Sequence, residues 1–221
     1  MEGRTPYSAL IPTPSRGSAS SRASSSRTVI ARSCYEKPPM TTPRPWPRLS
    51  SRPGTDHHLF QPRWDLMENP RTGEHLERLI CETPEWVDVV AITPERELVM
   101  VQQYRFGRDR ITTEIPAGLV DPGEDPRDAA LRELREETGY TTDRWTLLGV
   151  VEPNPAYQTN LCHHFLAEDV RLTHSQDLDP GEDIGVLTLP LQEVGDRIKS
   201  GEFVHAMMIT ALSRVLDLRT T

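Results

Sequence analysis

Two apolar runs rich in β-branched residues, VDVVAIT (87–93) and LVMVQQYRF (98–106), are separated only by the charged tetrapeptide PERE. Such a pair reads as a β-hairpin. Further strands are expected at WTLLGVV (145–151), HHFLA (163–167) and IGVLTL (184–189). Helical periodicity fits 126–138, 190–199 and 203–218. In the last of these Val204, Met207, Met208, Ala211, Leu212 and Val215 would share one face. Strands and helices interleave without regular β-α-β alternation. The expected class is therefore α+β, an α-β-α sandwich with a mixed sheet between helices. Residues 56–86 are expected to add a small β element ahead of the main domain at 87–221.

Charge divides the chain unevenly. Residues 1–55 hold nine Lys and Arg against two acids, with nine prolines and eleven serines, while residues 56–221 carry a net charge of −15. The stretch SRGSASSRASSSR cannot bury enough apolar surface to offset the entropy of ordering it. Three readings of 1–55 stand: a disordered tail, an organellar transit peptide, or a start assigned too early, with Met40 as the true start. The acidic remainder is a poor counter-surface for nucleic acid but a natural host for divalent cations. No apolar run is long enough to span a bilayer. Cys34, Cys81 and Cys162 are odd in number and lack C-x-x-C spacing, which fits a reducing, cytoplasmic setting and argues against a structural zinc site.

The densest chemistry lies in EIPAGLVDPGEDPRDAALRELREETGY (114–140). Asp125 can cap a helix whose first residue is Pro126, and Gly139 suits a left-handed C-terminal residue. On that helix Ala129, Ala130 and Leu134 can face the core. Glu133, Glu136 and Glu137 share one side, where like charges repel by a few tenths of a kcal/mol per pair on an exposed helix. Arg132 offsets only part of this. Taken alone, the helix reads as a solvated acidic face or as a set of hard oxygen ligands for Mg²⁺ or Mn²⁺.

The wider spacing resembles the Nudix box, G-x5-E-x7-R-E-U-x-E-E-x-G-U. Gly118, Glu124, Arg132, Glu133, Glu136, Glu137 and Gly139 occupy all of its fixed positions. Tyr140 departs from the usual aliphatic residue. The resemblance covers about residues 60–218 and implies the Nudix fold. It also implies divalent-metal-dependent hydrolysis of a nucleoside diphosphate linked to another moiety. By this resemblance Glu133, Glu137 and the Ala117 carbonyl would bind metal, and Glu136 would ligate it or orient a metal-bound water. Arg132 would pair with the box glutamates, while Gly118 and Glu124 would set the loop.

VQQYRFG, EIPAG and Pro155 are similar to the ADP-ribose pyrophosphatase branch. That likeness implies cleavage of ADP-ribose to AMP and ribose 5-phosphate by a homodimer paired through 59–86. Arg105 would be a phosphate contact, or else an arginine at a strand end in water. Glu114 would face substrate or brace the loop. The branch's later acidic loop corresponds to LDPGEDIGV (178–186), where Pro180 replaces an expected glutamate and Glu182 becomes the candidate ligand or base. Rival readings are the same chemistry on GDP-mannose or a reduced dinucleotide, or a nucleotide-sugar sensor that does not cleave. A complete set of box acids favours an enzyme. His163 and His164, adjacent on a strand, would point to opposite faces, and Cys162 reads as a small apolar residue.

Overall fold

The computed structural model describes residues 42–218. The expectations for residues 1–41, including the start at Met40, lie outside the described residues. The first strands are β1 (Arg48–Pro53), β2 (Gln61–Glu68) and β3 (His75–Glu82), which form an antiparallel three-stranded sheet. The β element thus begins inside the segment 1–55 that composition assigns to an extension. β1 is exposed at every residue and is held by backbone pairing with β2, so it has no apolar pattern to betray it.

The hairpin strands are β4 (Trp86–Ile92) and β5 (Glu97–Arg105). Two short strands, β6 (Arg110–Glu114) and β7 (Ala117–Leu119), lead into the helix α1 (Pro126–Thr138). The chain continues through β8 (Tyr140–Thr141), β9 (Arg144–Val151), β10 (Cys162–Glu168), β11 (Arg171–Leu172) and β12 (Ile184–Pro190). Helices α2 (Leu191–Lys199) and α3 (Ala206–Leu212) close it. The main sheet runs β12-β5-β4-β10-β9, with β6 beside β5 and β7 beside β4. It is mixed, because β10 runs parallel to β4 and antiparallel to β9.

Both faces of this sheet are covered. Val87, Val89 and Ala91 of β4 pack with Ala129, Ala130 and Leu134 of α1 on one face. Val90 and Ile92 pack with Val194 of α2 and Met208, Ala211 and Leu212 of α3 on the other. Alternation along one strand therefore feeds two cores. Among the described residues no helix is long and apolar enough to cross a membrane.

The C-terminal helix is shorter than its periodicity suggests. Phe203 is buried while Val204 is half exposed, so the helical face does not begin at residue 203. After Leu212, Arg214 and Val215 donate to carbonyls three residues back, and the α-helical ladder gives way to turns.

Candidate active site

Helix α1 starts and stops where its side chains dictate. Asp125 accepts a hydrogen bond from the Arg127 N–H, and Pro126 follows it. Gly139 ends the helix at φ 76° and donates its N–H to the Arg135 carbonyl. Burying Ala129, Ala130 and Leu134 fixes the helix's roll about its axis. The glutamates are thereby turned toward the loop that enters from β7.

Gly118 on β7 lies against Glu133 so closely that a Cβ there would stand 2.0 Å from Glu133 Cδ. Only glycine permits that approach. The Ala117 N–H donates to Glu137 Oε2 at 3.1 Å, which brings this backbone beside the second acid. Arg132 fastens the rest. Its Nε and Nη2 donate to the two oxygens of Glu124, each at 3.0 Å. Its Nη1 reaches Glu133 at 2.7 Å and Glu136 at 3.4 Å, and Nη2 also donates to the Leu119 carbonyl. Glu124 in turn accepts from the Asp121 N–H, and the bond from Arg132 holds its carboxyl below the usual range.

The acids on the inner side are electrostatically frustrated. Burial, with the charges of Glu136 and Glu182 beside it, pushes the Glu133 carboxyl up to about 7 despite Arg132. Glu137 is 3% exposed, and burial together with Glu133 and Glu182 pushes it up to about 8. Glu182 thus lies within electrostatic reach of both. It sits on a turn in which its own carboxylate accepts from the Asp179 N–H, and its N–H donates to the Asp179 carbonyl. Gln176 ties that segment down by donating to the carbonyls of Glu137 and Ile184, and the Asp177 N–H donates to the Glu136 carbonyl.

Arg105 and Glu114 form a bidentate pair, with Nε–Oε1 at 3.0 Å and Nη2–Oε2 at 2.6 Å. Thr112 donates to Glu114 Oε1, and the His205 ring stands 3.7 Å from Oε2. Glu114 is 2% exposed, and both its oxygens are engaged within the fold. That arrangement braces Arg105.

The model of the NUDIX domain family matches residues 83–212. The chain belongs to the Nudix family. An ADP-ribose pyrophosphatase of Bacillus subtilis is 36% identical over 141 residues, covering 63% of this Nudix chain and 76% of the relative. A methanol dehydrogenase activator of Bacillus methanolicus is 35% identical, covering 67% and 80%. An ADP-ribose pyrophosphatase of Mycobacterium tuberculosis is 31% identical, covering 73% and 79%. The fold is similar to that of a crystal structure of an ADP compounds hydrolase, with a TM-score of 0.71 at 24% identity over 80% of this chain and 95% of the other.

The Nudix box residues fit a divalent cation by their own chemistry. Glu133 and Glu137 are oxygen donors held so close that each disfavours the other's charge. A hard cation relieves that repulsion and accepts this donor type. Sequence reasoning missed Gln176, which bridges the helix end to β12. A lone glutamine in HSQDLDP carries no signal for that role.

Proposed function

We propose that this Nudix chain is a Mg²⁺-dependent nucleoside diphosphate-sugar pyrophosphatase, with ADP-ribose the foremost substrate and AMP and ribose 5-phosphate the products. The observation that carries this reading is the convergence of Glu133, Glu137 and Glu182, whose mutual repulsion calls for a cation. The relatives from Bacillus subtilis and Mycobacterium tuberculosis named ADP-ribose pyrophosphatase support the choice of substrate.

In this reading Glu133, Glu137 and the Ala117 carbonyl would hold Mg²⁺, or Mn²⁺ in its place. When bound, the ion neutralises charge on the pyrophosphate and makes water a better nucleophile. Arg132 keeps the Glu133 carboxylate pointed inward, because its guanidinium is anchored at Glu124 and the Leu119 carbonyl. Glu136, half buried against Arg132 and Arg135, orients the attacking water or adds a ligand. Glu182 takes the proton from that water. Arg105, pre-aimed by Glu114, contacts phosphate oxygens through a guanidinium fork suited to them.

A homodimer paired through 59–86 belongs to the same proposal, and exposed Leu59, Phe60 and Leu79 on that element support it. The free thiols of Cys81 and Cys162 suit a cytoplasmic setting. A panel of ADP-ribose, GDP-mannose and NADH, assayed for nucleoside monophosphate release with Mg²⁺ or chelator, tests the reading. Mg²⁺-dependent release of AMP from ADP-ribose at the highest kcat/KM is expected. Turnover that persists in chelator, or a clear preference for GDP-mannose, overturns the proposed cofactor or substrate respectively.

A further inference from the structure

On the sheet face away from α1 lies a second group of ligand-type side chains that the box chemistry does not use. Val87 and Val89 pack toward α1, so Asp88 between them projects from the opposite face, the one on which Val90 meets α3. The neighbouring strand β10 runs parallel to β4 and sets His164 opposite Asp88. Cys162, two residues earlier, shares that face with His164. Asp88 is 3% exposed, and Cys162 and His164 are 0% exposed.

Three ligand atoms meet there. Cys162 Sγ stands 3.4 Å from Asp88 Oδ2, and His164 Nε2 stands 3.3 Å from the same oxygen. One ligand atom from each residue lies within 4.8 Å of the other two. His164 is at ion-pair distance from Asp88, yet neither of its ring nitrogens has a directed hydrogen-bond partner. A buried imidazole without an aligned partner is costly and calls for a reason.

We propose that Asp88, Cys162 and His164 bind a soft divalent cation of the Zn²⁺ class, at a site separate from the box carboxylates. A tetrahedral zinc centre with bonds of about 2.0–2.3 Å requires ligand-to-ligand edges of roughly 3.3–3.7 Å. Two edges of the triad, at 3.3 and 3.4 Å, already have that length. The donor set is one sulfur, one nitrogen and one oxygen, which suits zinc and not magnesium, whereas Glu133 and Glu137 offer oxygen alone. The ion takes the lone pair of one ring nitrogen of His164, and Cys162 ligates as thiolate with release of one proton. Because all three side chains are buried, the ion enters as the chain folds. The site pins β10 to β4 at the rung where β4 also pairs with β7 through Asp88 and Ala117.

The test uses the full chain with Cys34→Ser and Cys81→Ser, so that Cys162 is the sole thiol. This protein is refolded from denaturant with excess Mg²⁺ and equimolar Co²⁺. Absorption is recorded, and metal per chain is measured by mass spectrometry after desalting. The expected result is one Co²⁺ per chain with a thiolate-to-cobalt charge-transfer band that Zn²⁺ bleaches and Mg²⁺ does not. Glu137→Gln keeps the band. His164→Gln weakens Zn²⁺ binding by more than about tenfold, since loss of a group that merely orients a ligand already costs that much. Since only one thiol remains, the band by itself identifies Cys162, even where Cys162→Ala or His164→Gln fails to fold. A folded protein without the band, or Co²⁺ bound with Mg²⁺ competing for it, overturns the proposal and leaves the triad a buried polar group that binds no metal.

Discussion

Replacing Glu137 by glutamine should stabilise the ion-free protein and abolish its response to Mg²⁺. The Glu137 carboxyl ordinarily titrates at 4.5 and is pushed up to about 8 in the fold. Between those values the native state holds a proton that the unfolded chain has released, so stability falls as pH rises through this window. Below 4.5 both states are protonated and the penalty vanishes. At about 1.4 kcal/mol for each pH unit, Glu137 destabilises the ion-free fold by on the order of 3–5 kcal/mol at pH 8. Glutamine does not titrate, and its removal of charge also lowers the penalty on Glu133. A glutamine must place its amide hydrogens in the same buried space, so a net gain of about 2 kcal/mol at pH 8 is the reasonable expectation.

Urea unfolding in chelator at pH 5.5 and pH 8.0 measures this directly. Wild type should lose stability between the two, and Glu137→Gln should lose much less, with m-values unchanged. Adding Mg²⁺ at a hundredfold excess over its Kd should stabilise wild type by about 2.7 kcal/mol and the variant hardly at all. Equal pH slopes for the two proteins, or an equal gain from Mg²⁺, would refute both the buried repulsion and the role of Glu137 as ligand.

Gly118→Ala should cut kcat/KM by more than about a hundredfold, because its Cβ would meet Glu133 at 2.0 Å and displace that carboxylate by a distance to which catalysis is sensitive; steady-state kinetics and a Mg²⁺ titration check it. Glu114→Gln removes the buried partner of the part-exposed Arg105 and should destabilise the fold by about 1–2 kcal/mol, while raising KM for ADP-ribose more than it lowers kcat; urea unfolding and kinetics separate the two effects. Glu182→Gln should lower kcat by on the order of 10²–10⁴-fold with a smaller effect on KM, and kcat within a few-fold of wild type would move the base to Glu136 or Asp179.

What could be read from the sequence depended on whether a side chain or the backbone made the structure. The helix Pro126–Thr138 announced itself through Asp125, Pro126 and Gly139, whose chemistry sets its ends. The central strands were legible as β-branched runs because residues 87–92 and 98–101 are buried within the sheet. Strands β1, β6, β7, β8 and β11 are short or exposed and held mainly by backbone pairing, so no periodicity marked them. The C-terminal pattern overstated its helix because Phe203 reaches the core from non-helical backbone, which a periodicity count cannot distinguish from a turn of helix.

The same division governs the site. Gly118 and the box acids carry their spacing within 22 residues, and that spacing survives folding because one loop and one helix hold all of it. The link from Gln176 to the Glu137 carbonyl spans 39 residues and uses a main-chain acceptor, so nothing in either local stretch points to the other. The pairing of His164 with Asp88 spans 76 residues and exists only because β10 lies parallel to β4. Adjacent histidines on a strand do diverge: His163 turns to Glu85 and His164 to Asp88. Local reasoning could establish that divergence, and it could also place Cys162 and His164 on one face. Which carboxylate that face would meet is a property of strand order, and strand order is decided by the two cores that β4 serves together.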